Sequence, residues 1–177
     1  MVLAAGVNLV VGVTLATSAA MFTGVLGASE LDYGWLQTAG AVATVVILFS
    51  IGHWTPPVKL LGPLAYVLMF AGGLLSAGGT SMALYAAGFV AVIGFDKMFN
   101  VYIRSLRQQI IPQRDLGKTT GLIVMLNNLT QPLAGLLVGA FSGVAGPRGV
   151  ILALTLGMGV LGVAAGLAWR WRQRRGA

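Results

Sequence analysis

The sequence predicts an all-α membrane protein with six transmembrane helices, and three observations lead to that prediction. The chain of 177 residues is 57% hydrophobic and only 8% charged, whereas soluble domains carry about 25% charged residues. Its hydrophobic residues fall in runs close to the ~20 residues that a helix needs to cross the hydrocarbon core of a bilayer. The 26 glycines follow no collagen-like period and favour close helix packing in a membrane.

Six stretches have the length and apolarity of membrane spans within a single transmembrane domain over residues 1–177. The first carries no charge. Trp35 and Trp54 frame the second, as is usual for helices anchored at the membrane interface. The connections are short, so neighbouring spans are expected to be antiparallel. The predicted spans are 2–26, 36–51, 58–75, 81–103, 120–141 and 150–169.

The distribution of lysine and arginine predicts the orientation, because cytoplasmic loops carry an excess of both. One side would hold only Arg148, together with Glu30 and Asp32. Both chain termini are therefore predicted to be cytoplasmic, and the net charge of +7 is attributed to membrane topology rather than to nucleic-acid binding. The basic residues predicted on the cytoplasmic side are Lys59, Arg104, Arg107, Arg114, Lys118, Arg170, Arg172, Arg174 and Arg175.

The first span starts directly after Met1 with no basic flank. It lacks the charged region and the short apolar run of a signal peptide. The chain is therefore expected to be the later portion of a longer polypeptide or a truncated reading frame.

Polar residues are distributed unevenly among the predicted spans. Spans three and six are almost purely apolar and are predicted to face lipid, whereas spans one, four and five are predicted to line an interior. In span one, Thr14, Thr17, Ser18 and Met21 share one face at helical spacing. The residues predicted to line a substrate or proton pathway are Asp96, Asn100, Asn8, Thr14, Asn127, Asn128 and Gln131.

Asp96 and Lys97 are the only charges well inside a span. Asp96 precedes Arg104 by eight residues, or about 12 Å of helix, and an unsatisfied charge there costs on the order of 3 kcal/mol. Asp96, Asn100 and Arg104 form one stripe, whereas Lys97 is expected to point away and reach the cytoplasmic headgroups. Two interpretations stay open: a cavity-facing proton or substrate group, or a fixed charge paired with a loop arginine.

Asn127, Asn128 and Gln131 precede Pro132, which removes one backbone donor and disturbs the helix near Asn128. Such a break marks a cavity wall or a hinge. The alternative is hydrogen bonding between helices without a ligand.

Several chemistries are excluded by composition. The chain has no cysteine, one histidine and four acidic residues, so neither a metal site nor a bound cofactor is predicted. A membrane-embedded lipid enzyme would need paired acids or a histidine with a polar partner, and His53 stands alone. The protein is therefore not expected to be an enzyme.

The segment 100–141 carries the most specific pattern. Its residues Asn100, Arg107, Gln108, Pro112, Gly117, Lys118, Pro132, Leu133 and Gly135 resemble the junction between the tenth and eleventh spans of major facilitator superfamily transporters, especially multidrug, macrolide and siderophore exporters. Lys118 stands where that family usually has arginine. Near residues 52–61, the sequence GHWTPPVKLL lacks the acid and the Gly-Arg pair of the family's loop signature.

The resemblance implies the C-terminal six-helix half of a transporter, built as two inverted three-helix repeats over residues 1–77 and 78–177. It implies ion-coupled efflux of a small amphipathic compound from the bacterial inner membrane, with an N-terminal six-helix half or a second copy as partner. The alternative is a non-transporting scaffold or remnant. The residues implied as cytoplasmic gate or hinge are Arg104, Arg107, Gln108, Pro112, Gly117, Lys118 and Pro132.

Overall fold

The structure is a computed structural model and describes residues 2–54 and 56–175, so the ends of the predicted 1–177 domain lie outside it. Within the described ranges every regular element is helical, which confirms the all-helical prediction. The helices are α1 (Val2–Ala19), extended by a π-helical turn (Ala20–Val25), α2 (Glu30–Trp54), α3 (Val58–Gly78), α4 (Met82–Ile110), α5 (Leu116–Asn128) and α6 (Thr130–Arg175).

Five helical stretches of the described chain are long and apolar enough to cross a membrane: Val2–Val25, Glu30–Trp54, Val58–Gly78, Met82–Ile110 and Leu116–Ala168. The first four overlap the first four predicted spans. The last has 53 residues and contains the other two. As one straight helix it would measure about 80 Å, far more than the ~30 Å hydrocarbon core.

The long last stretch folds back at Gly146. This glycine has φ 69° and ψ 165°, a conformation that side chains with a Cβ rarely adopt. A Cβ built on Gly12 would lie 2.7 Å from the Cβ of Ala134, and one built on Gly6 would lie 3.8 Å from the Cα of Met158. Gly6 and Gly12 are about 9 Å apart along α1, whereas 24 continuous helical residues would span about 36 Å. Both contacts are possible only if the chain reverses direction between Ala134 and Met158.

Helix α1 lies at the centre of the bundle and is its most buried helix. It packs mainly along α6, while α3 packs along α4. The α3–α4 contact depends on glycine, because a Cβ on Gly72 would lie 3.0 Å from the carbonyl oxygen of Gly88. Helix α2 lies at the edge and packs on α4 through a face that includes Gly40.

The burial of α3 differs from the prediction that span three faces lipid. Gly62 of α3 lies against the ring of Tyr102, and Gly73 lies against Thr155. Glycines in an apolar helix thus leave recesses that neighbouring side chains fill, which brings α3 into the packed interior. Helix α5, in contrast, has no buried residue.

The two ends of the bundle are defined here by their arginines. At the Arg148 end, the Nη2 atom of Arg148 donates to the carbonyl oxygen of Gly79 over 3.0 Å. The connection from α1 to α2 lies at the same end, where Ser29 and Asp32 cap α2 reciprocally: each side chain accepts a hydrogen bond from the other's backbone nitrogen. The connections after α2 and α4 lie at the opposite end, called the Arg104 end.

Substitution of the α3–α4 glycines tests this packing. A Cβ on Gly88 would lie 2.5 Å from the backbone nitrogen of Ser76, whereas Gly139 has no atom within 4 Å of an added Cβ. We expect Gly88→Ala to lower the free energy of unfolding by about 1–3 kcal/mol, since a packed contact between backbones cannot adjust. Gly139→Ala is the matched control and should not destabilise the protein. Thermal denaturation of both variants in detergent measures the difference, and equal melting temperatures would contradict the packing.

Candidate functional site

Asp96 is buried in α4, and both of its carboxylate oxygens have a donor. Lys97 Nζ lies 2.8 Å from Asp96 Oδ2. Asn100 Nδ2 donates to Asp96 Oδ1 over 2.9 Å and also to the Asp96 backbone oxygen over 3.0 Å. The acid is therefore neutralised and hydrogen-bonded by two neighbours on its own helix.

Lys97 was expected to point away from Asp96 and to reach the headgroups. In the structure its ammonium group contacts Asp96. Its ammonium group returns to Asp96, because attraction between opposite charges is stronger in a poorly solvated environment. Arg104 does not form the predicted loop-arginine pair. Among the described residues, Asp96 and Lys97 form the only ion pair.

The stripe of Asp96, Asn100 and Arg104 runs from the interior to the surface. Asp96 is buried, whereas Asn100 and Arg104 are exposed. Lys97 is intermediate, with 43% of its side chain exposed against 7% for Asp96. The Asp96 carboxylate is thus buried, but the two side chains bonded to it reach the surface of α4. A change in the charge of Asp96 would therefore change the electrostatic potential at that surface.

A second set of polar contacts lies where α5 ends and α6 begins. The carbonyl oxygen of Asn127 accepts hydrogen bonds from Asn8 Nδ2 over 3.3 Å and from the Thr130 hydroxyl over 2.5 Å. Leu129 separates the two helices, three residues before Pro132. A helix boundary therefore occurs close to the position that the proline predicts, and the Asn127 carbonyl joins α1 to α5.

The remaining predicted pathway residues do not join these contacts. The Asn128 and Gln131 side chains are exposed and form no hydrogen bond with other described residues. Thr14 is fully buried, and its hydroxyl has no partner in the described part of the chain. No hydrogen bond connects the Asp96 group, the Asn127 group and Thr14, so the structure does not assemble the seven predicted residues into one site.

The predicted gate residues cluster at the Arg104 end and around the α5–α6 break. Arg107 is half-buried, and its carbonyl oxygen accepts from the nitrogen of Ile111, which ends α4. The others are exposed, and their role in gating stays a prediction: Arg104, Gln108, Pro112, Gly117, Lys118 and Pro132.

One polar group was missed by the sequence reasoning. The shared face of Thr14, Thr17 and Ser18 was recognised, and all three residues are buried as expected. The partner of Ser18 was not, because Tyr33 comes from another helix. Ser18 Oγ lies 2.9 Å from the Tyr33 hydroxyl, and that hydroxyl accepts a hydrogen bond from Gln37 Nε2 over 2.6 Å.

Comparison with known proteins gave no match to a family model, to a curated protein or to a solved structure. The resemblance of residues 100–141 to major facilitator superfamily transporters therefore stays a prediction.

The unequal exposure of Asp96 and Lys97 predicts unequal effects of their substitutions. Lys97→Gln leaves a buried carboxylate with Asn100 as its remaining partner, and should lower the free energy of unfolding by about 2–3 kcal/mol. Asp96→Asn leaves a half-exposed ammonium group that water can reach, and should cost less than about 1 kcal/mol. The double variant should recover most of the Lys97→Gln loss.

Thermal melting of the three purified variants in detergent forms a double-mutant cycle. Additive effects of the two substitutions would contradict a direct interaction between the two charges.

Proposed function

We propose that the chain is the C-terminal six-helix half of a secondary transporter of the major facilitator type, which exports a small amphipathic compound by ion-coupled alternating access. The observation that carries the proposal is the buried carboxylate of Asp96, held by Lys97 and Asn100 in the middle of an apolar helix. Ionisable residues at membrane depth are costly, and they commonly mark ion or substrate pathways.

The Asp96–Lys97 pair suits proton coupling because it is neutral as a unit. A proton taken up by Asp96 would leave Lys97 and Asn100 without their anionic partner, so the two charge states would favour different surroundings. A conformation that exposes Lys97 to water would then gain in relative population, and one that keeps it against Asp96 would lose. Proton entry and export would be linked by this difference.

The reversal at Gly146 supports six spans rather than five. The segments 116–145 and 147–168 would each cross the membrane, and the repeats 1–77 and 78–177 would each contribute three spans. With the excess of basic residues at the Arg104 end, both termini would be cytoplasmic.

Exposed polar groups on the bundle support a second six-helix unit. Asn100, Asn128 and Gln131 are exposed amides on otherwise apolar helices, and hydrocarbon offers them no hydrogen-bond partner. Nearby on α6, Gly135, Gly139 and Gly143 have no atom within 4 Å of an added Cβ. A water-filled cavity beside an N-terminal half or a second copy would hydrate the amides, and the partner's helices would pack on the open glycines.

The break between α5 and α6 would supply the moving part. Pro132 has no N–H to donate to the carbonyl oxygen of Asn128, four residues earlier, so the helix would bend more easily at this point. The loop from Arg104 to Lys118 would form the cytoplasmic gate, joined to this hinge through α5.

Neutralisation of the acid tests the proposal. Asp96→Asn, introduced at the gene's own locus so that any partner is retained, should abolish proton-driven export of the transported compound by membrane vesicles while membrane levels of the protein stay normal. The matched control is Asp32→Asn, because Asp32 is an exposed acid bonded to Ser29. Export at the wild-type rate in the Asp96 variant would refute the coupling role.

The topology can be tested with single cysteines, because the chain has none of its own. Six spans predict that Ala145→Cys and Ser29→Cys react with an impermeant thiol reagent from the outer side. Gln113→Cys should react only after the cytoplasmic side is exposed. If Ala145→Cys reacted from the cytoplasmic side, the proposed reversal across the membrane at Gly146 would be wrong.

A further inference from the structure

A groove opens on the outer side of the bundle at the Arg148 end, where α3 ends and α4 begins. Its volume is about 440 Å³, which is within the range of small-ligand sites. Leu75 and Leu84 are 44% and 46% exposed, so the groove is open to the lipid around the bundle. The residues that line it are Ala71, Leu74, Leu75, Gly78, Gly79 and Leu84.

The length of α3 places this groove at one boundary of the membrane. The helix has 21 residues, which is about 31 Å of helix and matches the ~30 Å hydrocarbon core. Its last residue, Gly78, therefore lies near the headgroups. Ala71 lies about 10 Å deeper along the helix axis. The groove thus begins at headgroup level and follows the first part of an acyl chain into the hydrocarbon.

Glycine keeps the headgroup end of the groove open. A Cβ built on Gly78 has no atom within 4 Å, although the same residue lines the groove. The protein itself therefore leaves the space beside Gly78 unfilled. A larger side chain at this position would enter the groove without displacing a neighbouring protein atom.

The guanidinium group of Arg148 lies at the same end of the groove. Its Nη2 atom donates to the carbonyl oxygen of Gly79 over 3.0 Å, and Gly79 lines the groove. A guanidinium has five N–H donors, and this is the one hydrogen bond that Arg148 forms with the described residues. No carboxylate in the described part of the chain pairs with Arg148, so its charge can attract an anion from outside the protein.

We propose that the groove binds an anionic phospholipid, whose phosphate is held by Arg148 and whose acyl chain lies between Leu75 and Leu84. A basic residue at headgroup level favours anionic lipids, and burial of the chain against apolar side chains retains it. Arg148 also caps the C-terminal end of α3, where Gly79 is the C-cap residue and a cation is favourable. That contact uses one N–H and leaves others for the phosphate. The binding does not depend on the proposed transport function.

Photoreactive lipids test this site. Phosphatidylglycerol and phosphatidylcholine with the same diazirine-bearing acyl chain are incorporated, one at a time, into phosphatidylcholine nanodiscs that hold the purified chain. After irradiation, labelled residues are mapped by mass spectrometry. We expect the anionic lipid to label residues 71–84 about fivefold more than the zwitterionic lipid, the effect of one arginine near a charged headgroup.

Variants of Arg148 separate lipid binding from capping. Arg148→Gln should lower the labelling ratio of the two lipids at residues 71–84 to about one, because the headgroup loses its counter-charge. Arg148→Lys keeps the charge and should retain most of the preference. Arg170 and Arg174 provide the internal reference, because Arg170 lies about 33 Å from Arg148 along α6. The lipid preference there should be the same in all variants.

A variant of Gly78 tests the groove itself. Gly78→Leu should remove most labelling of residues 71–84 by both lipids, because the new side chain occupies the space of the acyl chain. Gly139→Leu is the matched control, since Gly139 also has no atom within 4 Å of an added Cβ. This control should leave the labelling of residues 71–84 unchanged.

Four outcomes would overturn the proposal. Equal labelling of residues 71–84 by the two lipids in the wild type would remove the anionic preference, and a preference that survives Arg148→Gln would leave Arg148 as a helix cap alone. Unchanged labelling in Gly78→Leu would place the lipid outside the groove. Loss of labelling on addition of free glycerol phosphate would assign the site to a soluble phosphate instead of a lipid.

Discussion

The structure depends on one constraint: hydrocarbon provides no hydrogen bonds, so polar groups in the helices need partners within the protein. Asp96 satisfies it locally, through Lys97 on one carboxylate oxygen and Asn100 on the other. At the boundary between α5 and α6, the Asn127 carbonyl oxygen meets this constraint by accepting hydrogen bonds from Thr130 and from Asn8 on another helix. The exposed amides of Asn128 and Gln131 have no partner among the described residues, and from them we infer a partner unit.

Glycine decides how closely the helices approach. On α3 and α4, glycines face backbone or aromatic rings, as at Gly72 and Gly62, and these two helices pack tightly together. On the first part of α6, Gly135 and Gly139 face open space. The bundle therefore has a tightly packed side and a side with unfilled recesses. The unfilled side begins beside the exposed amides of Asn128 and Gln131, where we propose that a partner unit packs.

The sequence was sufficient for features that depend on local chemistry. Runs of apolar residues located the helices, and Pro132 predicted a helix break that occurs at Leu129. It was insufficient for features that depend on contacts between distant residues. The position of α3 was missed because an apolar, glycine-rich helix can face lipid or a neighbour equally well, and the Tyr33–Ser18 contact was missed because nothing in either segment specifies the other.

The central claim is that Asp96 is an ionised carboxylate held by Lys97 and Asn100. Infrared difference spectroscopy of the chain in lipid nanodiscs tests this directly, because ionised and protonated carboxyl groups absorb at different frequencies. The chain has four acidic side chains, so the signal of Asp96 is the difference between the spectra of the wild type and Asp96→Asn at one pH. The account predicts an ionised-carboxylate band in that difference. A protonated-carboxyl band in that difference, with no ionised-carboxylate band, would contradict the account.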